Sequence, residues 1–406
     1  MASRIAYLAP ELPGASSTFV YNEIFALEDM GIEIFPFSVH NIELTGEGER
    51  LAELTKRRTV IYHGNWLKLL SVNLQAFFRH PLNYLRTLKI AIGDVFSTRN
   101  SLKLSVGLMY RFLHGVALAC RLTDLRIQHL HAHFAHVPVD ISMYAAAFSK
   151  IPFSFTAHAN DIFQRGYLLP EKAKRAKFVT TISSFNVQFL IDKGVPTEKL
   201  HLVRCGIDSS QFETRKHKEK SGLTVFGFIG RLVEKKGIDV LLEACVNLKN
   251  QNHQFLVDVV GDGPLLSQTK NSISKLNLHK EVSMKGSLPH KEVSKWLDTI
   301  DYLVLPCKKD RFGDMDGIPV VLMEAMLKGV SVITTDISGI PELVIHGETG
   351  FSVECNKEAI SNAMREAIDE PESRRETRIQ KGSELVKREF ELFRNSRKLN
   401  SLFAEI

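Results

Sequence analysis

The stretch FGDMDGIPVVLMEAMLKG, residues 312–329, places two acids in a glycine-containing loop and the apolar run that follows it. Asp316 belongs to the loop, and Glu324 lies eight residues later among apolar side chains. Pro319 suits the first position of a helix, because its missing N–H would have no partner there. The pattern predicts a helix over 319–328 with both acids near its start.

The start of this helix would form an anion site. Backbone N–H groups in the first turn of a helix have no acceptor within the helix, and the helix dipole makes that end positive. Glycine before the helix lets a ligand approach the backbone closely. The amides expected to point outward belong to Gly317, Ile318, Val320 and Val321.

The two acids limit which anion fits. Asp316 and Glu324 would repel a bare anion, unless the same ligand also offers neutral hydroxyl groups that donate to the carboxylates. A diphosphate between two polyols, as in a nucleotide sugar, meets both conditions. We then expect Asp316 to hold hydroxyls of the sugar and Glu324 those of the ribose. In the alternative interpretation Asp316 is a loop acid or helix N-cap, and Glu324 is an exposed helix residue.

A second cationic segment, FIGRLVEKKG at 228–237, indicates where the diphosphate would lie. A predicted strand ends at Gly230, and Arg231 and Lys236 follow before a helix begins near residue 237. Arginine can bind phosphate oxygens in a bidentate manner, and lysine adds a point charge. In the alternative interpretation the segment is a solvated loop, since Glu234 and Lys235 also belong to it.

Strand-like and helix-like segments alternate through most of the chain. Short apolar runs that end in Gly, Pro or Ser, each followed by a segment of helical periodicity, are typical of βαβ units and a parallel sheet. The expected strands cover 4–10, 32–39, 127–134, 152–158, 178–183 and 200–206 in the first half, and 223–230, 255–261, 281–287, 301–307 and 330–336 in the second. The fold class predicted is α/β, with two doubly wound Rossmann-like parallel-sheet domains that face each other across a cleft.

Length and local composition give the domain boundaries. A chain of 406 residues exceeds the roughly 250–300 that one core usually supports. We expect an N-terminal Rossmann-like domain over 1–207 and a charged linker over 208–222. A C-terminal nucleotide-sugar-binding domain would follow over 223–371. The charged helical tail, 372–406, is expected to pack back toward the N-terminal domain.

The segment 65–119 differs from its surroundings, because aromatic and aliphatic residues alternate with Lys and Arg. One interpretation is an inserted pair of helices that packs on the first domain. The other is a basic amphipathic surface that contacts an anionic membrane.

The overall charge and the cysteines exclude several classes of protein. The formal net charge of +6 suits anionic ligands but is too small to indicate nucleic-acid binding. Five scattered cysteines, none in a CxxC motif, indicate reduced thiols in a cytoplasmic protein. The N-terminal sequence lacks the apolar segment of a signal peptide, and no apolar run approaches the ~20 residues of a membrane span.

Taken together, the motifs resemble glycosyltransferase family 4, whose members are retaining enzymes of the GT-B fold. The family's acid-x7-acid motif matches Asp316–Glu324, and its Arg-x4-Lys motif matches Arg231–Lys236. Further similar segments are VVGDGP (259–264), MKGSLPHKEV (284–293), SGIPELVIHGETGF (338–351), STFVYNEIFAL (17–27), HLHAHFAH (129–136) and FTAHANDIF (155–163). The N-terminal segments resemble the bacterial exopolysaccharide branch, including colanic-acid-type transferases. The first acid of the family motif is usually Glu, and Asp316 is one methylene shorter.

The resemblance implies further site residues. It places His158 beside the transferred hexose and Gly14 in the flexible loop of the first domain, and it adds Lys285 and Gly286 to the donor site. His129, His131, His133 and His136 could also suggest a metal site. The resemblance implies a metal-independent enzyme without a cofactor, in which cations and helix dipoles offset the diphosphate charge.

The function expected is retaining transfer of a sugar from a nucleotide-diphosphate sugar to a hydroxyl of a saccharide or lipid-linked saccharide, in bacterial surface polysaccharide biosynthesis. No enzymatic nucleophile is evident in the first domain, which agrees with front-face attack by the acceptor. Two alternatives use the same architecture: another GT-B enzyme, such as a nucleotide-sugar epimerase, and a non-catalytic nucleotide-sugar-binding protein.

Overall fold

The structure is a computed structural model that describes residues 4–14, 17–42, 48–98, 101–213 and 222–405. The chain divides into two compact units. Unit 1 comprises Met1–Gly206 with Leu392–Ile406, and unit 2 comprises Ile207–Glu391. Most of the predicted linker, residues 214–221, lies outside the described residues.

Unit 1 is an α/β unit built on one parallel sheet. Its strands are Arg4–Glu11 (β1), Glu33–His40 (β2), Thr59–Val60 (β3), His129–His133 (β4), Phe153–Ala157 (β5), Val179–Thr181 (β6) and Leu200–Leu202 (β7). Its helices before β7 are Thr18–Asp29 (α1), Glu49–Arg57 (α2), Trp66–Arg79 (α3), Pro81–Ser97 (α4), Leu102–Asp124 (α5), Val137–Ser149 (α6), Asn160–Phe163 (α7), Leu169–Arg175 (α8) and Ser184–Asp192 (α9). Within the described residues the sheet has seven strands in the order β3-β2-β1-β4-β5-β6-β7.

Unit 2 repeats this architecture. Its strands are Thr224–Ile229 (β8), Phe255–Val260 (β9), Val282–Gly286 (β10), Tyr302–Leu305 (β11), Ser331–Thr335 (β12) and Phe351–Val353 (β13). Its helices are Ile238–Asn250 (α10), Leu266–Lys275 (α11), His290–Leu297 (α12), Val320–Lys328 (α13), Lys357–Asp369 (α14) and Glu372–Glu389 (α15). In the described part of unit 2 the sheet has six parallel strands, ordered β10-β9-β8-β11-β12-β13.

The order of strands in unit 2 determines where a ligand can bind. The chain winds outward from β8 in one direction through β9 to β10, and in the other from β11 through β12 to β13. The order reverses between β8 and β11, and ligands of such sheets bind beyond the carboxyl ends of the strands at this point. The loops after β8 and β11 hold Arg231 and Asp316, respectively.

The segment 65–119 folds as three helices, α3, α4 and most of α5. The interpretation as an inserted pair of helices is therefore wrong in the number of helices. The additional break is at His80, which ends α3, and Pro81 opens α4 at a position where proline needs no N–H partner. The three helices pack on one another, and α4 and α5 also pack on α6.

The tail also differs from the expectation that all of 372–406 returns to the N-terminal domain. Helix α15 packs against α13 in unit 2, while Leu392–Ala404 (α16) packs against α1 in unit 1. Within α15, Arg378 forms a buried ion pair with Glu370. This contact ties α15 to the end of α14 in unit 2.

The five cysteines are free thiols, so no disulfide links them. None of the helices in the described residues is both long and apolar enough to span a bilayer.

Candidate active site

The loop after β8 is held close to the rest of the sheet edge. Gly237 ends a short 3-10 turn at φ +69°, and a Cβ there would lie 1.8 Å from the carbonyl oxygen of Pro306. Gly261, after β9, has φ +139°, and a Cβ would lie 1.9 Å from the Gly230 oxygen. Only glycine fits both positions, so the backbone of neighbouring strand ends approaches closely.

Arg231 and Lys236, the two predicted cations, have different surroundings. Arg231 is exposed, and its guanidinium makes no hydrogen bond or ion pair with the part of the chain that the structure describes. Lys236 Nζ lies 2.6 Å from Asp316 Oδ2. This contact joins the Arg-x4-Lys loop to the loop that precedes α13, and it brings two sequence-predicted residues together.

Two residues that the sequence analysis did not assign complete this cluster. Lys235 Nζ lies 2.9 Å from Asp314 Oδ2 and 3.1 Å from Asp316 Oδ1. Asp316 therefore has both carboxylate oxygens engaged, and the Cys307 thiol donates to Oδ2 over 3.6 Å. The side-chain charges of the two lysines and two aspartates cancel. Among the described residues, no acid offsets the charge of Arg231, the other predicted cation.

The loop that precedes Asp316 is held by local hydrogen bonds. Asp310 Oδ1 accepts hydrogen bonds from the backbone N–H groups of Phe312 and Asp314, both at 2.8 Å. A carboxylate has about four lone-pair sites, so Asp316 can accept further hydrogen bonds from ligand hydroxyls.

The cluster lowers the pKa of Asp316. Burial alone would raise this pKa, but the Lys236 and Lys235 ammonium groups stabilise the carboxylate and bring it from 3.8 to about 2. A carboxyl group whose pKa is lower in the folded chain contributes stability above its unfolded pKa, and loses that contribution as the pH falls through the folded value. The contribution is therefore present above about pH 4 and is lost toward pH 2.

We expect Asp316→Asn to lower the free energy of unfolding of unit 2 by about 2 kcal/mol at pH 6, with the deficit shrinking between pH 4 and pH 2. Trp296 is buried in unit 2, and Trp66→Phe makes it the single tryptophan. Urea titrations followed by its fluorescence measure the difference. Glu366→Gln, at an exposed helix position in the same unit, is the control and should change stability by well under 1 kcal/mol. A deficit for Asp316→Asn that is constant from pH 6 to pH 2 contradicts the ion-pair assignment.

Helix α13 begins one residue later than predicted. The helix starts at Val320, and Pro319 is its N-cap rather than its first residue. Among the described residues, the N–H groups of Gly317, Ile318, Val320 and Val321 donate to no protein acceptor. The amide set that the sequence predicts is present and available to an anion.

Glu324 lies in α13 and is 8% exposed, so the alternative of an exposed helix position is wrong. Lys285, at the end of β10, pairs with Asp258 at 3.2 Å and remains about two-fifths exposed. Gly286 has φ +74°, and its carbonyl oxygen accepts from the Gly261 N–H at 2.8 Å. Lys285 and Gly286 thus lie at the carboxyl end of β10, two strands from β8.

The residues predicted in unit 1 lie in loops at the carboxyl ends of its strands. Gly14 follows β1, and a Cβ there would lie 2.2 Å from Ser17 Oγ. His158 follows β5, and the buried Asp161 accepts hydrogen bonds from the backbone N–H groups of His158, Ala159 and Ala135 at 2.7–3.1 Å. Asp161 fixes this loop, a role that the motif FTAHANDIF did not reveal.

His158 belongs to a buried hydrogen-bonded chain. His133 Nε2 lies 3.0 Å from Glu23 Oε1, and His133 Nδ1 lies 3.1 Å from His158 Nε2. The Tyr7 hydroxyl donates to the same Glu23 oxygen at 2.5 Å. Burial raises the pKa of the Cys205 thiol and lowers that of His158, so the thiol can donate to neutral His158 at Nδ1, 3.8 Å away.

These hydrogen bonds fix the tautomers of His133 and His158 when both imidazoles are neutral. The Glu23 carboxylate can only accept a hydrogen bond, so the His133 nitrogen that faces it, Nε2, carries the proton. His133 Nδ1 is then an acceptor. His158 then donates from Nε2, which leaves Nδ1 as its acceptor. The long thiol contact at Nδ1 is the weakest in the chain and the easiest for a ligand hydroxyl to replace.

The histidine-rich strand also offers a candidate metal cluster. Ligand atoms of Glu23, His131 and His133 lie within 4.8 Å of one another. However, both ring nitrogens of His131 are already bound by hydroxyls, Nδ1 by Ser154 at 2.7 Å and Nε2 by Thr156 at 3.0 Å. These hydrogen bonds use the lone pair that a metal needs, so the geometry favours a polar network.

Two family models match the chain. "Glycosyltransferase Family 4" matches residues 17–211, and "Glycosyl transferases group 1" matches residues 209–383. WcaL of Escherichia coli K12, a glycosyltransferase named for colanic acid biosynthesis, is 30% identical over 360 residues, which cover 86% of each chain. AmsK of Erwinia amylovora, named as an amylovoran biosynthesis glycosyltransferase, is 35% identical over 201 residues, about half of each chain.

Solved structures show the same fold at low identity. A glycosyltransferase from Rickettsia africae has a TM-score of 0.73 at 16% identity, with 100% of this chain and 98% of that chain covered. Anabaena HepE, solved in complex with UDP, has a TM-score of 0.72 at 14% identity, with 99% and 100% covered. The GT-B fold predicted from the sequence is confirmed, and the chain belongs to glycosyltransferase family 4.

Proposed function

We propose that the chain transfers a sugar, with retention of anomeric configuration, from a nucleotide-diphosphate sugar to a hydroxyl of a saccharide or lipid-linked saccharide. The observation that carries this proposal is the 2.6 Å contact between Lys236 and Asp316. It joins the exposed Arg231 loop to the loop that leads into the unpartnered amides of α13. Cations and amides suit the diphosphate, while Asp316 and Glu324 suit hydroxyls on either side of it.

The proposed chemistry needs no group beyond the two substrates and this chain. The bond between the anomeric carbon and the diphosphate oxygen breaks, and a bond from that carbon to the acceptor oxygen forms. The acceptor proton passes to the departing diphosphate. Arg231, Lys236 and the α13 amides stabilise the charge that develops on the leaving group, which is the step where fixed dipoles and cations lower a barrier most.

His158 contributes through its neutral imidazole in this proposal. Its Nδ1 exchanges the Cys205 thiol for a hydroxyl of the transferred sugar, and Glu23 maintains the tautomer through His133. Gly14, Lys285 and Gly286 stay predictions for the donor site.

The relatives support a role in surface polysaccharide biosynthesis. WcaL and AmsK are named for two different bacterial exopolysaccharides, colanic acid and amylovoran. HepE has been solved with UDP-glucose, so UDP-sugars are the first donors to test. The free thiols of this chain suit the reducing cytoplasm, where we place the reaction, at the inner face of the membrane.

The test combines donor binding with product analysis. We expect one of UDP-, GDP- or ADP-sugars to stabilise the chain by about 2.7 kcal/mol at 100 times its Kd, and the others to have little effect. With saccharide acceptors, that donor should yield a new glycoside by mass spectrometry, with the donor's anomeric configuration by NMR and in the presence of EDTA. Conversion of the donor without a glycoside indicates an epimerase or hydrolase, and binding without conversion indicates a binding protein. Either result overturns the proposal.

A further inference from the structure

Helices α3, α4 and α5 present a concentrated set of exposed apolar side chains. Of seventeen large apolar side chains that are exposed among the described residues, twelve lie between residues 66 and 110, with exposures of 42–80%. They are Trp66, Leu67, Leu70, Leu74, Phe78, Leu82, Leu85, Ile92, Phe96, Leu102, Val106 and Tyr110. We call these twelve residues the apolar surface. A concentration of exposed apolar side chains is typical of an interaction site.

The spacing of the apolar surface shows that it consists of helical stripes. Leu67, Leu70, Leu74 and Phe78 recur every three or four residues along α3. The same spacing relates Leu82 to Leu85 and Ile92 to Phe96 in α4, and Leu102, Val106 and Tyr110 in α5. Residues at i, i+3, i+4 and i+7 share one face of a helix. Each helix therefore has a second apolar face besides the one buried in unit 1.

The buried faces of these helices are already fixed by specific contacts. Asn73 Nδ2 donates to the carbonyl oxygens of Leu69 and Leu113, at 2.9 and 3.0 Å. Asp94 in α4 forms two 2.7 Å contacts with Arg175. Because the inner faces are committed to unit 1, the outer stripes are left for a partner.

Charge identifies the partner. Residues 65–110 contain six Lys or Arg and one acid, a net charge of +5 within a chain whose total is +6. The one acid is Asp94, which is buried against Arg175. Five of the cations are exposed and form no ion pair with described residues: Lys68, Arg79, Arg86, Lys89 and Lys103. Apolar stripes flanked by cations that have no ion-pair partner among the described residues match the interface of an anionic bilayer, where acyl chains lie beneath negatively charged headgroups.

We propose that the apolar surface and its five cations bind the face of an anionic lipid bilayer. Each helix lies in the interface, with its apolar stripe among the acyl chains near the headgroups and its cations against lipid phosphates. The proposal deepens the proposed function, because it names the membrane as the place where the acceptor, a lipid-linked saccharide, is presented. A second copy of the chain is the less favoured occupant, since two copies of one +5 surface repel each other.

Flotation with vesicles tests this proposal with the full-length chain. We expect co-flotation with phosphatidylcholine vesicles that contain 30% phosphatidylglycerol, weaker flotation with pure phosphatidylcholine, and loss of most binding at 0.5 M NaCl. Lys68→Gln, Arg86→Gln and Lys89→Gln together should reduce the apparent affinity roughly 100-fold, at about fivefold per cation. Leu74→Ser with Phe78→Ser should reduce it at every salt concentration. Both sets of side chains are exposed, so the variants should fold.

Controls distinguish membrane binding by this surface from non-specific hydrophobic adsorption and from self-association of the chain. Leu223→Ser changes an exposed apolar residue of unit 2 and should leave flotation unchanged. Equal flotation of all variants overturns the proposal. So does a dimer in analytical ultracentrifugation that Leu74→Ser with Phe78→Ser dissociates. Because the vesicles contain neither donor nor acceptor, lack of flotation refutes the membrane site alone, while the donor assay tests the proposed function separately.

Discussion

Replacement of Arg231 by Ala is expected to lower turnover by roughly 10²–10³-fold, because loss of one group that stabilises a leaving charge typically has an effect of that size. Lys236 and Lys235 form ion pairs with Asp316 and Asp314, at 2.6–3.1 Å, which offset part of the charge they can offer to a diphosphate. Arg231 is exposed and has no partner among the described residues, so its whole charge is available to a diphosphate. The loss should therefore be larger for Arg231→Ala than for Lys235→Ala.

The kinetic pattern distinguishes stabilisation of the leaving group from simple donor binding. A group that acts mainly in the transition state lowers kcat, whereas one that binds donor and transition state equally raises KM alone. We expect the loss in kcat, with Arg231→Lys intermediate because lysine keeps the charge but loses bidentate geometry. Arg365→Ala, an exposed arginine of α14, should retain full activity. Unchanged kcat with a raised KM would show that Arg231 only binds the donor, and an unchanged kcat/KM would show that the diphosphate does not lie at this loop.

The sequence was sufficient to predict the fold because alternation of strand and helix persists along both halves. The segment VSVITTD at 330–336 contains the buried strand β12, and 237–249 contains most of α10. Parallel strands buried on both faces require such apolar runs, and helices must connect them. The two-residue β3 and three-residue β13 were missed, since each carries too few residues to show a period, whereas the equally short edge strand β7 was found within the longer apolar run LHLVRCG at 200–206.

The candidate site was only partly predictable. The Arg231–Lys236 and Asp316–Glu324 spacings are local patterns, and the 2.6 Å contact of Lys236 with Asp316 joins them across 80 positions of sequence. Lys235 looked like a solvated loop residue because nothing local distinguishes it from its neighbour. Only the fold places it between two aspartates.

The hydrogen bonds of His133 and His158 were even harder to predict, because their partners are distant in the sequence. Glu23 and His133 are separated by 110 positions, and they meet because β4 pairs with β1 beside α1. Strand β4, HLHAH, is fully buried although three of its five residues are histidines. A sequence pattern does not reveal that these polar residues find partners such as Ser154 and Thr156 on the neighbouring strand.

Replacement of Asp140 by Ala is expected to lower the free energy of unfolding of unit 1 by about 3–5 kcal/mol, because it leaves a buried charge without its partner. Lys172 is 0% exposed, and its Nζ lies 2.9 Å from Asp140 Oδ1 and 2.7 Å from the Ala135 carbonyl oxygen. Arg111 and the Tyr167 hydroxyl contact the other carboxylate oxygen at 3.0 and 2.5 Å. One residue of α6 therefore connects α5 and α8.

Hydrogen exchange measured by mass spectrometry reports this loss in unit 1 directly. Amides in α6, Val137–Ser149, should exchange roughly 200- to 5,000-fold faster in Asp140→Ala, since each 1.36 kcal/mol corresponds to a factor of ten. Asp29→Ala is the matched control, because Asp29 pairs with Arg50 at 2.9 Å on the surface of the same unit. An exposed pair contributes about 0–1 kcal/mol, so exchange in α6 should change little.

A second substitution tests whether the stranded ammonium group is the cause. Burial lowers the pKa of Lys172, and Asp140 opposes that effect, so without Asp140 the amine loses its proton more readily. The deficit of Asp140→Ala should therefore shrink as the pH rises from 7 to 9. Lys172→Met, added to Asp140→Ala, removes the charge altogether and should restore part of the lost stability. A double variant less stable than the single one would show that Lys172 stabilises the unit through its remaining contacts rather than through the ion pair.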